Sequence, residues 1–357
     1  MSTSLFLEPI DVWLFRDGRP FDAGSAHRAE SLFPPYPTVI QGAIRTQKLV
    51  NASIALGDRT EKNMKAIAAL VGAADSFGDL RLRGPFLARR EKGKVVRYFP
   101  QPADAIQNKT TLVPAMLTES QPSTIKTGLK SPLHLLGLNN QSGKPGDSLW
   151  LSQNNLMDLL SGKEVEGVKS KDLFDIENRT GIGVGDRRVV NEGMLYEVGF
   201  VRPAKDVGLL VKMEGQEPNW QEPGILHLGG EKRMAQFRVE KTDEWPVYPE
   251  KTDRFKIYFA TPAFFEKGWL PSDWGKFFNN PVELVGAAVN RFETIGGFNW
   301  IADPNGAIAH RSARRFISAG SVYYFKGSAQ FKPGLLQQAI TDFGAEIGFG
   351  QIIIKEW

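Results

Sequence analysis

Short segments with alternating apolar residues occur near both ends of this chain and limit the folds it can adopt. Residues 10–15 and residues 255–259 place apolar side chains at every second position, a spacing typical of β-strands with a buried face. Trp13 and Phe15 make the second face of the first segment apolar too, so we expect this strand, with Pro9 near its start, to be covered on both sides. Further strands are predicted at residues 95–99, 194–201, 208–213, 321–325 and 352–354.

Apolar residues at helical spacing follow the first strand and recur later. A helix is predicted to begin at Pro37 or Thr38, because proline is tolerated in the first turn of a helix. Three more helices are predicted at residues 61–71, 151–160 and 336–343, with Gly344 placed to end the last one. Strands and helices in this order favour an α+β fold.

Length and loop content set the domain organisation. A chain of 357 residues suggests two domains, at roughly 150 residues each. The middle third is irregular, and the lysine- and glycine-rich residues 162–171 are predicted to form an exposed loop tip or a mobile connection. We therefore predict two distantly similar α+β units with large inserted loops, comprising residues 1–215 and 216–357.

Composition limits the cellular locations expected for this protein. No stretch approaches the roughly 20 apolar residues of a membrane span, and the N-terminus lacks the basic and apolar regions of a signal peptide. The chain has no cysteine, which excludes disulfides, thiolate metal sites and cysteine nucleophiles. We therefore predict a cytoplasmic protein that does not contact a membrane.

Charge is mild overall but unevenly distributed. The formal net charge is +4 and the sequence pI is about 9.0. Residues 81–97 contain seven basic side chains and the single acid Glu91. Such a run is either the solvated face of a β-hairpin or part of a nucleic-acid contact.

Residues suited to catalysis are sparse. The histidines lack the H-E-x-x-H spacing and any paired-ligand pattern, and no nucleophile elbow or P-loop is present. We predict no catalytic residue, no metal site and no cofactor. His27 and His310 lie near arginines in the sequence, so a histidine base that cleaves RNA without metal stays an alternative. The histidines are His27, His134, His227 and His310.

Glycines accompany arginines at separate points of the chain. Residues 181–185 (GIGVG) resemble part of a dinucleotide fingerprint, but no strand is predicted before them and no helix after them. The alternatives are a glycine-rich turn that presents arginines to phosphates, and a tight turn without a ligand. Comparable clusters occur at residues 228–233, 311–315 and 348–350.

These clusters suit a groove that follows an RNA backbone. Arginine supplies bidentate phosphate contacts, and glycine lets the protein backbone approach closely. Phe349 offers a stacking surface for a base, unless it packs in the core.

Several of these segments resemble a known family, the third subunits of the Cmr complex. This complex is the type III-B CRISPR RNA-guided antiviral effector. These subunits are repeat-associated mysterious proteins, or RAMPs. The most specific match is the opening, residues 7–12 and 15–21. The other matching segments are residues 31–35, 42–45, 178–182, 192–196, 228–231, 319–325 and 348–350.

The resemblance implies two ferredoxin-like domains, similar to RNA-recognition motifs. It also implies a non-catalytic ribonucleoprotein subunit that holds the 5′ tag of the CRISPR RNA. The implied protein partners are the large polymerase-like palm-domain subunit and the first backbone RAMP subunit. The type III-A counterpart shares this fold and role and stays an alternative.

We therefore predict an RNA-binding subunit of the complex. Its rivals are a metal-independent RAMP endoribonuclease that processes precursor CRISPR RNA, and a subunit that bridges proteins only. The predicted RNA-contacting cations are Arg16, Arg19, Arg179, Arg187, Arg188, Lys232, Arg233, Arg314 and Arg315. The residues predicted to shape the RNA-binding loops are Gly181, Gly183, Gly229, Gly230, Gly348, Phe349 and Gly350.

Overall fold

A computed structural model describes most of the chain. The described residues are 2–16, 28–73, 76–117, 133, 136–137, 149–184, 190–214, 223–246, 252–298, 310–333, 335 and 339–357. Every structural statement below refers to these residues.

Three α-helices lie in the described residues. The first, α1 (Pro37–Asn51), begins at the predicted proline and buries Ile40 and Ile44. The second, α2 (Glu61–Val71), matches its predicted bounds, and the hydroxyl of Thr60 accepts a hydrogen bond from the Asn63 amide at its start. The third, α3 (Gln153–Leu160), starts two residues later than predicted, because the residues before it belong to a strand.

Strands dominate the remaining structure. In chain order they are β1 (Ser2–Pro9), β2 (Arg28–Ala29), β3 (Arg81–Glu91), β4 (Lys94–Pro100), β5 (Ala105–Asn108), β6 (Thr111–Pro114), β7 (Met116–Leu117), β8 (Leu136–Gly137), β9 (Leu149–Ser152), β10 (Val165–Glu166), β11 (Val168–Lys169) and β12 (Phe174–Val184). They continue with β13 (Val190–Pro203), β14 (Val207–Glu214), β15 (Gly224–His227), β16 (Met234–Val239), β17 (Arg254–Phe259), β18 (Ala263–Phe264), β19 (Glu283–Ala288), β20 (Glu293–Phe298), β21 (His310–Ile317), β22 (Val322–Lys326) and β23 (Ile352–Glu356).

The chain divides into two compact units, and neither is one continuous stretch. Unit 1 contains Met1–Val95, Lys171–Thr242 and Gly296–Ala313, and unit 2 contains Val96–Ser170, Asp243–Ile295 and Arg314–Trp357. The mostly-strand α+β class agrees with the predicted fold class. The two ferredoxin-like domains, and their boundary between residues 215 and 216, stay predictions.

Unit 1 is built on an antiparallel sheet and a long ribbon. In the sheet, β3, β14, β1, β16 and β15 lie side by side in that order. Ile40 and Ile44 of α1 pack with sheet residues such as Leu5 and Leu209 in one hydrophobic core. The ribbon consists of β12 and β13, which pair in antiparallel register from Phe174↔Pro203 to Val184↔Val190.

Unit 2 has a second sheet with an aromatic core. Its strands lie in the order β19, β22, β17, β23. The rings of Phe255 and Phe325 stack at 5.1 Å between centroids, and both side chains are fully buried. The predicted alternation of residues 255–259 is therefore confirmed, because Phe255, Ile257 and Phe259 all face this core.

Three predicted elements differ from the structure. The first strand ends at Pro9, and Trp13 forms an isolated bridge with Val201 in place of a strand over residues 10–15, although Val12 to Phe15 are buried as expected. Within the predicted loop at 162–171, residues 165–166 and 168–169 form short strands, because the Gly167 amide donates to the Thr110 carbonyl and Val165 pairs with Leu112. Residues 162–164 are exposed, as predicted. The predicted helix at 336–343 is wrong for residues 339–343, and residues 336–338 lie outside the described chain.

Candidate nucleic-acid interface

Residues 11–16 form an extended segment held between two parts of unit 1. Trp13 exchanges backbone hydrogen bonds with Val201 of β13 at 2.9 and 2.8 Å. On the other side, the Gly230 amide donates to the Leu14 carbonyl at 2.7 Å. Val12 to Phe15 are buried, whereas Asp11 at the start of the segment is exposed. The segment thus fixes a carboxylate at the surface of the ribbon.

Three arginines converge on this carboxylate. Asp11 Oδ2 accepts a hydrogen bond from Arg179 at 3.0 Å and a longer one from Arg233 at 3.4 Å, while Oδ1 accepts from Arg202 at 3.0 Å. Glu177 accepts from Arg179 Nε at 2.7 Å and from Arg202 Nε. We call Asp11, Glu177, Arg179, Arg202 and Arg233 the arginine network.

Two arginines of the network pack on the ring of a phenylalanine. The guanidinium carbons of Arg179 and Arg233 lie 5.0 and 4.5 Å from the centre of the Phe200 ring, which is buried. Such cation–π contacts hold the planar guanidinium groups in place. The side chains of Arg179 and Arg202 stay 37% and 46% exposed, so solutes can reach them.

The ion pairs change the acid–base properties of the network. Hydrogen bonds from Arg179 and Arg202 hold the pKa of Asp11 below its ordinary value, and hydrogen bonds from Arg202 and Arg179 do the same for Glu177. The pKa values of both arginines are raised, with the Glu177 hydrogen bond as the largest cause. All these groups are therefore charged at neutral pH. Arg179 donates two hydrogen bonds within the network. A guanidinium has five N–H donors, so further N–H groups can donate to a phosphate.

The predicted glycines 229 and 230 pack against the segment that carries Asp11. Both lie in the turn between β15 and β16, and Gly229 has φ of +100°, which favours glycine. A Cβ on Gly229 would lie 2.8 Å from the Leu14 carbonyl oxygen. Their role in this structure is close packing against residues 11–16. Lys232, in the same turn, is exposed.

Gly181 makes room for an aromatic ring. It pairs directly with Tyr196 across the ribbon, and a Cβ at Gly181 would lie 2.2 Å from Cζ of the tyrosine. Gly181 belongs to strand β12, so the predicted glycine-rich turn does not begin there. The backbone of Gly183 belongs to the same strand.

Two predicted arginines lie next to each other on β21, in the part of this strand that belongs to unit 2. Both are exposed, and consecutive strand residues point to opposite faces. Arg314 lies over the rings of Phe343 and Phe264, at 4.3 and 5.1 Å, and Arg315 lies 4.9 Å from the ring centre of Phe292.

The predicted glycine turn at residues 348–350 is buried in unit 2. The Phe349 ring is 0% exposed and packs 4.8 Å from Phe316. The core-packing alternative therefore holds for Phe349, whose ring has no exposed face for a base. The Gly350 amide and carbonyl bond to Pro262 and Ile340, so these backbone groups already have partners.

Within the basic run at 81–97, Lys92 and Lys94 are exposed, whereas Arg83 and Arg97 are buried. Arg90 pairs with Glu240 at 2.8 Å, Glu8 at 3.5 Å and Asp206 at 3.8 Å. Arg97 is buried and donates to the side chain of Gln153 and the backbone of Asp243. These contacts make both arginines structural, which differs from the solvated hairpin face considered from the sequence.

Other predicted residues are only partly described. Arg16 is exposed and forms a backbone bridge with Ser31. His310 begins β21, but its side chain is not described. Arg19, Arg187, Arg188, His27 and His134 lie outside the described residues.

The structure adds four residues that were not selected from the sequence: Asp11, Glu177, Tyr196 and Arg202. Asp11 and Tyr196 belong to segments that carry the family resemblance, which is the signal that could have pointed to them. Across the described ranges, no cluster of three or more acidic or histidine side chains is arranged to hold a metal ion. No helix within those ranges is long and apolar enough to span a membrane.

One family model matches nearly the whole chain. A model of the family described as CRISPR-associated protein (Cas_Cmr3) matches residues 5–357. No curated protein matches the chain.

Two solved structures are similar in fold. One is a cryo-EM structure of the type III-B Cmr-beta bound to cognate target RNA and AMPPnP, with a TM-score of 0.50 and 16% identity. The other is the type III-B Cmr-beta bound to cognate target RNA, with a TM-score of 0.50 and 18% identity. Each alignment covers 90% of this chain and 86% of the other.

Proposed function

The chain belongs to the CRISPR-associated Cmr3 family, and we propose on that premise that it is a non-catalytic, RNA-binding subunit of a type III-B effector complex. The match confirms the resemblance found in the sequence. In this proposal the subunit holds the 5′ tag of the CRISPR RNA. It also docks the large palm-domain subunit and lies beside the first backbone RAMP subunit.

The arginine network is the observation that carries the RNA-binding part of the proposal. Three guanidinium groups meet at one exposed surface of unit 1, two of them stacked on Phe200. Arginine binds phosphate oxygens in bidentate geometry, and groups already held in place lose little conformational freedom on binding. The two carboxylates fix the positions of the arginines, and RNA supplies the additional negative charge.

Further cations extend this surface and supply a second one. Lys232 lies in the same turn as Arg233, and Arg16 ends the segment that carries Asp11. In unit 2, Arg314 and Arg315 are exposed and stacked on aromatic rings, an arrangement suited to single-stranded RNA. Arg19, Arg187 and Arg188 stay proposed as RNA contacts. The glycines 181, 183, 229, 230, 348 and 350 stay proposed as residues that shape the loops of the protein.

Nuclease footprinting of the guide RNA tests the proposal. The complex is reconstituted with and without this chain, and the 5′ tag is probed with a single-strand nuclease. The proposal predicts that the tag is protected only when this chain is present. Protection that is equal in both preparations would remove the tag-binding function and leave a subunit that bridges proteins. Cleavage of repeat RNA by the purified chain in EDTA would instead identify the endoribonuclease.

A further inference from the structure

One face of the ribbon carries the arginine network and continues beyond it. Side chains alternate along a strand, so Tyr196, Val198, Phe200 and Arg202 of β13 share a face. Across the ribbon, Gly181 pairs with Tyr196, while Arg179 pairs with Val198. Tyr196 therefore lies on the same face as the arginines. It is two residues from the position opposite Arg179, a separation of roughly 7 Å.

The tip of the tyrosine ring lies over a glycine of the neighbouring strand. At Gly181 the Cζ, Oη and Cε2 atoms of Tyr196 lie 2.2, 2.5 and 2.6 Å from the position that a Cβ would occupy. Any other residue at 181 would displace the ring. Packing of an aromatic residue over a strand glycine is a known way to stabilise that glycine. Tyr196 nevertheless stays 36% exposed, so the contact with Gly181 leaves much of the residue at the surface.

We infer that Tyr196 stacks on an unpaired base of the RNA whose phosphates bind the arginine network. This inference rests on the proposed function and names the part of the RNA that the site receives. Tyrosine stacks on any base, because every base has an aromatic face, whereas arginines bind the sugar–phosphate backbone. If Arg179 binds a phosphate, the Tyr196 ring, roughly 7 Å away, is within reach of a base attached to the same RNA backbone.

The surroundings of the ring favour a base over an apolar protein surface. The exposed apolar residues Ile182 and Leu195 pair with each other on the opposite face of the ribbon. On the face that bears Tyr196, the apolar residues Val198 and Phe200 are buried, and the charged residues Glu177, Arg179 and Arg202 reach the surface. Phe349, the aromatic residue that the sequence offered for stacking, is buried.

The test uses the reconstituted complex with 2-aminopurine placed at each position of the guide's 5′ tag in turn. Stacking quenches the fluorescence of this base analogue. Tyr196→Leu removes the ring, Tyr196→Phe keeps it, and Gly181→Ala keeps the tyrosine but displaces it. Leu195→Ala is the matched control, since it alters an exposed residue on the opposite face.

The inference predicts that fluorescence at one tag position rises several-fold in Tyr196→Leu and in Gly181→Ala. It stays quenched in Tyr196→Phe and Leu195→Ala. The inference is overturned if no position responds to Tyr196→Leu in complexes that still contain this subunit and the guide. It is also overturned if Tyr196→Leu releases a protein subunit while Gly181→Ala does not change the fluorescence. In both cases the proposed function still holds if the tag remains protected from nuclease. A tag that the wild-type chain does not protect would contradict both the proposed function and the inference about Tyr196.

Discussion

Arg202→Gln isolates one member of the arginine network. Arg202 was not selected from the sequence, yet it donates to Asp11 at 3.0 Å and to Glu177. The substitution removes one positive charge at the surface and keeps a polar side chain of intermediate length. If the network binds phosphates, the variant loses one phosphate contact, and its fold stays intact.

The expected loss of stability and the expected change in salt dependence of RNA binding can both be estimated. The ion pair between Arg202 and Asp11 is nearly half exposed, and such pairs contribute only about 0.2 to 1 kcal/mol to stability. Binding of single-stranded RNA depends on salt, with a slope in log K against log salt of about −0.7 for each phosphate neutralised. Arg202→Gln should therefore flatten the slope by about 0.7. Replacement of Arg179, Arg202 and Arg233 together should flatten it by about 2.

The assay is fluorescence anisotropy of a labelled tag RNA, titrated with the full-length chain between about 50 and 200 mM salt. Lys163→Gln is the matched control. It removes one positive charge and one exposed ion pair, since Lys163 lies 2.7 Å from Asp158, but it lies outside the network. Thermal unfolding of each variant confirms that the fold is intact.

Equal salt slopes for wild type, Arg202→Gln and Lys163→Gln would show that Arg202 neutralises no RNA phosphate. The network would then be a set of surface ion pairs whose charges are satisfied within the protein. A slope change of the same size in both variants would indicate that only net charge matters, and that no phosphate is bound at this place.

Three further predictions concern the structure around the candidate residues. Gly350→Ala should lower the free energy of unfolding more than Gly268→Ala, as measured by chemical denaturation. Both residues have positive φ, but only at Gly350 would a Cβ lie 2.5 Å from the Ile340 carbonyl oxygen; equal losses would contradict the packing described. Phe349→Ala should cost about 3 to 5 kcal/mol of stability and leave the salt slope unchanged, so a stable variant with weaker RNA binding would restore the stacking role. The lowered pKa of Asp11 means that its carboxylate stabilises the fold above the ordinary value of 3.8 and loses this contribution as pH falls through the folded value. Wild type and Asp11→Asn should therefore differ in thermal stability near neutral pH and converge in acid, and a difference independent of pH would contradict the ion pairing.

Local sequence signals predicted the first two helices well. In α1 a proline at the start and apolar residues at helical spacing agree with the burial of one face. In α2 the polar Thr60 precedes the helix and caps it through its hydroxyl. These features depend on residues close in sequence, so the sequence alone is sufficient to locate them.

Patterns that depend on distant partners were misread. Residues 10–15 have the alternation of a strand, but their backbone hydrogen bonds go to separate parts of the chain rather than to one continuous ladder. The partners are Leu32, Val201, Gly230 and Met234. The apolar spacing near the C-terminus suggested a helix. There the Thr341 hydroxyl donates to the Phe343 carbonyl, and Ile340 bonds to Gly350, so the chain turns instead.

The candidate site shows the same limit. Arginine and glycine clusters identified Arg179 and Arg233, since residue type and spacing are visible in the sequence. Their shared carboxylate, Asp11, lies 168 and 222 residues away from them along the chain, and Arg202 lies 191 residues from it. Only the pairing of the ribbon and the path of residues 11–16 bring these groups together. For the same reason, the glycines 181, 229 and 230 could be named, but the rings and backbone they accommodate could not.

The most direct test of the account is photocrosslinking of the reconstituted complex, with photoreactive bases in the guide's 5′ tag. The account predicts crosslinked peptides from the ribbon, residues 174–184 and 190–203, or from the turn at residues 228–233, and loss of these crosslinks when Arg179, Arg202 and Arg233 are replaced together. Crosslinks confined to other subunits would contradict the account, because the tag would then be held without the arginine network.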